Sequence, residues 1–367
     1  MSHPKPIGVT MSVLSTGINN SILCRRLTKC DNRFLALLHR HWLELCFFNF
    51  AFAEILVIKI NDPTVHFTHE LATQLKPLEQ LSAQGKVQKI KLIIHAGTPK
   101  TGTTSLQTYL DKKQRKLRGK GILYPHNLAE SNNPAAPKHQ WFEKNLVSAH
   151  LENFLANFTH IISQLKPDTH TIILSSEGIY NYWWDFPGES KEALRTLSQL
   201  FDVDLWVWFR EPLGFIESYY KQCIRNPQVA SNPCYGKDLS FAEMLHIPWF
   251  SKHLDYQGFV TECQTLLGEN SVSAFQYKGD VVQEVAHKLG LATTHDNPTP
   301  RQNNSLNSAS IKLLKTLNHY NIKAKDKELL MPHLKEINGL LGRYVNDSLI
   351  DDISRDQVLM IANPVTF

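Results

Sequence analysis

The sequence predicts an α/β fold, with a doubly wound, mostly parallel sheet entered through a phosphate-gripping strand, loop and helix, and a helical C-terminal extension. Three observations carry that expectation. The run Lys91-Leu-Ile-Ile-His-Ala-Gly-Thr-Pro-Lys-Thr-Gly-Thr-Thr-Ser-Leu-Gln107 is apolar up to a glycine, turns through small residues around one lysine, and then becomes helix-compatible. Further apolar runs at 171–177, 204–209 and 271–276 alternate with helix-periodic stretches, the pattern of buried parallel strands joined by crossover helices. At 367 residues with 42% apolar content, the chain is long enough to bury such a core.

Residues 1–32 are polar and mixed, without periodicity, and are expected to be a disordered tail or an artefact of the start site. The apolar segment 42–58 follows basic residues as a signal anchor would, but Glu44, Asn49 and Glu54 interrupt it. A membrane span needs about 20 uninterrupted apolar residues. A packed or peripheral helix is therefore expected, with a cytoplasmic location and membrane association through 42–58 as the alternative. Residues 61–89 read as a connector, opened by Asn61-Asp-Pro63, with a short amphipathic helix around 70–83.

The resulting division is an N-terminal extension over 1–88, an α/β domain over 89–307, and C-terminal helices over 308–367 packed on the same domain. Within the domain, helices are expected over 103–117, 140–165, 189–201, 213–225, 250–267 and 281–289, and strands over 121–125, 171–177, 204–209 and 271–276. The stretch 127–138, rich in Asn, Pro and Ala, is a long loop. Two more helices, over 308–320 and 326–344, follow an irregular stretch at 293–307. There is no internal repeat and no low-complexity tract.

The chemistry centres on the first loop. A helix N-terminus carries unpaired amides and partial positive charge, so a tight loop entering it can wrap an anion. Gly97 and Gly102 permit close backbone approach, Lys100 adds an ammonium, and Thr101, Thr103, Thr104 and Ser105 add hydroxyls. The loop departs from the GxxxxGK[ST] nucleotide motif, because Lys100 precedes the second glycine, Gly102.

With that departure, Thr98-Pro-Lys-Thr-Gly-Thr-Thr-Ser105 resembles the 5′-phosphosulfate loop of the sulfotransferase family. Downstream, Asp204-Leu-Trp-Val-Trp-Phe-Arg-Glu-Pro-Leu-Gly-Phe-Ile-Glu-Ser-Tyr-Tyr220 is similar to the family's 3′-phosphate element, with Arg210 ending a strand and Ser218 on the following helix. The resemblance covers roughly 90–310 and is closer to bacterial and carbohydrate sulfotransferases, since the Arg-Lys-Gly triplet of the cytosolic small-molecule branch is lacking. It implies a P-loop-like fold, 3′-phosphoadenosine 5′-phosphosulfate (PAPS) as co-substrate, no metal, and a carbohydrate, glycolipid or small-molecule acceptor. Lys100 would follow the bridging oxygen as charge develops, Thr101, Gly102, Thr103, Thr104 and Ser105 would hold the 5′-phosphate, and Arg210 and Ser218 the 3′-phosphate. Arg301-Gln-Asn-Asn-Ser-Leu306 resembles a late segment that closes over the nucleotide, which makes Arg301 and Asn303 donor-binding candidates, although a helix cap explains Asn307 and Ser308 equally well.

The general base stays open between two residues. His139 resembles a histidine placed near that point in some carbohydrate sulfotransferases, and imidazole titrates in a useful range. Glu177 follows a buried strand at the ligand end of the sheet. His126 and Glu130 share the loop with His139, whereas His95 is expected to face the core. Tyr182, Trp183 and Trp184 either stack on an acceptor sugar or pack beneath a loop.

The net charge of +5 suits a protein that handles anions and is too small to indicate nucleic-acid binding. The six cysteines are too dispersed for a disulfide framework or a zinc site and are expected as free thiols, with a Cys223–Cys234 bridge reserved for an oxidising compartment. Two other readings fit the loop. A P-loop kinase or NTPase would need a strand-end Asp for Mg2+, and 171–177 offers only the displaced Glu177. A nucleotide-binding protein of the same fold could also have lost its activity.

Overall fold

The computed structural model describes Glu70, Thr73 and residues 89–99, 101–126, 138–291, 306–341 and 348–367. The expectations for 42–58 and 127–137, and those for Lys100, Glu130, Arg301 and Asn303, lie outside the described residues. So does most of the 61–88 connector.

Five strands form one sheet: β1 (Lys91–His95), β2 (Ile122–Leu123), β3 (Thr171–Ser175), β4 (Asp202–Phe209) and β5 (Val272–Gln276). Their order is β2-β3-β1-β4-β5, and every pairing is parallel. β1 lies at the centre, with Lys91 opposite Thr171 on one side and Asp202 on the other.

Because side chains alternate along a strand, each buried strand feeds two cores. Leu92, Ile94, Ile172, Leu174, Leu205 and Val207 enter the larger core, and Ile93, Ile173, Trp206 and Trp208 the smaller one on the opposite face. This explains why the strands read as continuous apolar runs rather than as an alternation.

The smaller core is covered by α1 (Thr103–Lys112) and α2 (Gln114–Arg118), through Leu106, Leu110 and Leu117. The larger is covered by α3 (Gln140–Val147), α4 (Leu151–Ser163), α5 (Gly178–Tyr182), α6 (Gly188–Leu200) and α7 (Pro212–Arg225). α8 (Phe241–Leu245), α9 (Pro248–Ser251) and α10 (Tyr256–Leu267) join that side. α11 (Val281–Lys288) returns to the smaller core through Val281, Val282 and Val285.

Three expected helices are broken. The chain interrupts 103–117 at Lys113 between α1 and α2. It breaks 140–165 between α3 and α4, where Ala149 adopts a φ of 51°. Within 250–267, Asp255 ends a 3-10 turn and starts α10 by accepting a hydrogen bond from the Gly258 amide at 2.9 Å. Two short helices, α5 and α8, were not anticipated, because neither is long enough to display a helical period.

The C-terminal part supplies α12 (Ser308–His319), α13 (Ala324–Leu341) and α14 (Asp352–Ile361). Asn307 caps α12 by accepting from the Ser310 amide, as the capping alternative expected. Lys327 of α13, only 3% exposed, donates to the carbonyls of Ile224 and Asn226 at 2.6 and 2.7 Å and to Asn318 Oδ1 at 2.8 Å. It therefore caps the C-terminus of α7, where carbonyls lack helical partners. α14, also unanticipated, leads into Asn363, whose amide donates to the Leu254 carbonyl.

Among the described residues no helix is long and apolar enough to cross a membrane. Cys223, Cys234 and Cys263 are buried free thiols.

Candidate functional site

The carboxyl ends of β1 and β4 lie side by side. β1 leads into α1 on one face of the sheet, whereas its neighbours β3 and β4 lead into α5 and α7 on the other face. Ligands in open parallel sheets bind where neighbouring connections part in this way.

The loop after β1 is fastened to β4. Trp206 O accepts from the Ala96 amide at 2.9 Å, and Trp208 O accepts from Thr98 Oγ1 at 2.7 Å. Gly97 and Gly102 have φ values of 30° and 83°, where a side chain is strained. Gly102 stands at the N-cap of α1 and brings no side chain to cap it, so no side chain competes for the first amides of the helix. A Cβ on Gly102 would stand 3.4 Å from Val281, which places the start of α11 beside the loop.

The hydroxyls expected in the loop take different directions. Thr101 is buried and donates to the Thr98 carbonyl at 2.8 Å, so its hydroxyl closes the loop on itself. That corrects the expectation of a hydroxyl contact from Thr101. Thr104 and Ser105 are half-buried at the start of α1. Thr103 is 3% exposed, and its hydroxyl has no partner.

His95 lies in the core, as expected, 1% exposed. Its Nδ1 shares a hydrogen bond of 2.8 Å with Ser175 Oγ, its ring meets Trp208 edge-on at 5.6 Å, and its Nε2 has no partner. Burial lowers its pKa to about 4, so the ring is neutral at pH 7. A buried polar atom left unpaired costs about 1–3 kcal/mol, and here two such atoms adjoin one glycine. A Cβ on Gly97 would stand 2.8 Å from Thr103 Oγ1 and 3.1 Å from His95 Nε2.

Arg210 follows β4 directly, half-buried, with its guanidinium 5.9 Å from the Tyr277 ring centroid. Glu211 accepts from the Leu213 and Gly214 amides at 2.8 Å each, the capping arrangement that starts α7. Glu217 pairs with Lys221 at 2.8 Å. Ser218 is half-buried on α7.

The geometry separates the base candidates. His139 is buried, with Nδ1 accepting from the Ser175 amide at 2.8 Å and Nε2 donating to the Pro125 carbonyl at 2.8 Å. Burial lowers its pKa to about 4. With both ring nitrogens spent, His139 splints the ends of β2 and β3 together rather than offering a lone pair to an acceptor. Of the two candidates for the base, this geometry weighs against His139. His126 is exposed and contacts Gln114 at 3.2 Å. Glu177 is half-buried at the end of β3, ahead of α5.

Beside Glu177 is a carboxyl that sequence reasoning missed. Glu143 of α3 is buried, accepts from Ser176 Oγ, and packs where Gly178 has no side chain. Burial raises its pKa to about 7, the Ser176 hydrogen bond opposing and the nearby Glu177 charge adding to the rise. An acidic residue between Phe142 and Leu146 on the inner face of α3 was the available signal. Gln107 was also missed; it reaches from α1 to the Ser175 carbonyl at 3.2 Å. Of the aromatic candidates, Trp183 is buried and bonded to Glu262, whereas Tyr182 and Trp184 stay half-exposed.

The loop, Arg210, and the end of β3 with Glu177 and Glu143 therefore share one edge of the sheet. The chain matches no protein-family model and no curated protein.

Proposed function

We propose that the chain is a PAPS-dependent sulfotransferase with a P-loop-like donor site, acting on a hydroxyl or amine of a carbohydrate, glycolipid or similar acceptor. The observation that carries this reading is the N-terminus of α1 without a side-chain cap, preceded by two positive-φ glycines, at the end of β1, whose neighbour β4 ends just before Arg210. A nucleotide with phosphates at both ends of its ribose needs two anion sites set apart, and the loop and Arg210 supply candidates for both.

In the transfer, the acceptor atom bonds to sulfur while the bond from sulfur to the bridging phosphate oxygen breaks. The electron pair leaves on that oxygen in adenosine 3′,5′-bisphosphate, and the acceptor's proton passes to a base. The amides at the start of α1 and the Thr104 and Ser105 hydroxyls hold the 5′-phosphate. Lys100 neutralises charge on the leaving oxygen, and Arg210 with Ser218 holds the 3′-phosphate. Arg301 and Asn303 complete the donor site in this reading. Glu177 is the base, being the carboxylate at the ligand end of β3 that is not sealed in the core. Lys100 and Arg210 supply the charge, so the reading calls for no metal.

Calorimetric titration tests it. The protein is expected to bind adenosine 3′,5′-bisphosphate in preference to ATP with Mg2+; preference for ATP, or no binding of the bisphosphate, overturns the proposal.

A further inference from the structure

The structure leaves two buried polar atoms unpaired beneath the loop, and they adjoin one another across Gly97. His95 Nε2 and Thr103 Oγ1 are both without partners. Each lies within 3.1 Å of the place where a Cβ on Gly97 would stand. Such atoms are rarely tolerated in a native core unless another state of the protein satisfies them.

We propose that His95 is a positioning residue of the donor site, pairing through its Nε2–H with Thr103 Oγ1 when an anion is bound at the start of α1, and so turning the Thr103 hydroxyl hydrogen toward a phosphate oxygen. This rests on the donor reading above.

The proposal takes one of the two neutral tautomers of the ring. Ser175 Oγ and Trp208 fix the ring from two sides. The imidazole is neutral, so one nitrogen carries hydrogen and the other a lone pair. In that tautomer the Ser175 hydroxyl donates to Nδ1 and the hydrogen resides on Nε2, the atom beside Gly97. Thr103 is the first residue of α1, where the helix amides already favour negative charge. A Thr103 oxygen that accepts from His95 has its own hydrogen left to donate outward. Gly97 is part of the arrangement, because any side chain there would wedge between the two atoms.

The test is a double-mutant cycle read by calorimetry with adenosine 3′,5′-bisphosphate. His95→Phe and Thr103→Val are each expected to weaken binding roughly tenfold, and the double variant also by roughly tenfold, because both changes remove the same bond. His95→Gln, whose amide nitrogen matches the reach of Nε2, recovers most of the affinity; His95→Asn, which matches Nδ1, does not. If His95→Phe does not fold, His95→Asn closes the cycle. Independent losses that multiply to about a hundredfold overturn the pairing. So does unchanged binding in His95→Phe, or recovery by Asn with failure of Gln. Wild-type protein that does not bind the bisphosphate overturns the donor reading and this proposal together, whereas wild-type binding with additive variants overturns the pairing alone.

Discussion

Glu143 shows how much a single buried carboxyl can weigh. Its folded pKa of about 7 lies above the ordinary 4.5, so between those values the folded chain keeps a proton that the unfolded chain has lost. Stability is therefore full below the unfolded pKa and declines as pH rises through the folded one, by on the order of 3 kcal/mol in total. Glu143→Gln keeps the acceptor for Ser176 without the charge. It is expected to match wild type in urea unfolding at pH 5 and to exceed it at pH 8; a variant less stable at both would show that the ionised carboxyl is not what costs stability. In assays, Lys100→Ala is expected to abolish turnover while Arg210→Ala chiefly weakens binding of the donor, and wild-type rates in Lys100→Ala would refute its assigned role. The loop was legible at this scale because glycine, lysine and threonine advertise their chemistry. Glu143 and the double engagement of His139 were not, since burial and the spending of both ring nitrogens are decided by α3 packing onto β3, which no local pattern encodes.

Among the elements, α7 is held at both ends. Glu211 caps its start, and Lys327 caps its finish from α13. Burial, with Arg225 nearby, lowers the Lys327 pKa to about 8. Lys327→Met removes the lysine's bonds to the Asn226 carbonyl and Asn318 Oδ1 and leaves the Ile224 carbonyl with Asn318 Nδ2, and hydrogen bonds from a charged group are worth about 1.5–3 kcal/mol. A loss of roughly 3 kcal/mol is expected in urea unfolding; less than about 0.5 kcal/mol would mean that the lysine is a passenger. The strands and long helices could be read from their apolar runs and periods. The breaks at Lys113, Ala149 and Asp255 could not, because each falls inside a stretch whose helical period continues on both sides.

At the scale of the whole molecule, three histidines that are buried among the described residues weigh on the acid limb. His95, His139 and His253 are each lowered to about 4, with burial the largest cause. As pH falls from 6.5 the unfolded chain takes up protons that the folded chain refuses, so stability is present above that pH and drains as pH approaches 4. Each histidine accounts for on the order of 2 kcal/mol at pH 5, partly offset by Glu143. Urea unfolding is expected to show a loss of several kcal/mol between pH 7 and pH 5; a level profile would contradict the neutral, buried state of these rings. The parallel sheet was legible from composition and pattern, whereas the order of its strands comes from pairings between distant parts of the chain.

That order has a consequence for synthesis. β1, which carries the loop, pairs with β3 and β4, and both follow it at long range: Lys91 meets Thr171 and Asp202. During translation β1 emerges long before either partner, and it stays a bare edge on one side until Phe209 has left the ribosome. A long-separated pairing is slow to form and leaves an apolar strand open to wrong partners in the meantime. The loop after β1 is thus among the first segments made and among the last secured, and a nascent chain stopped before β4 carries the loop without the strand that holds it.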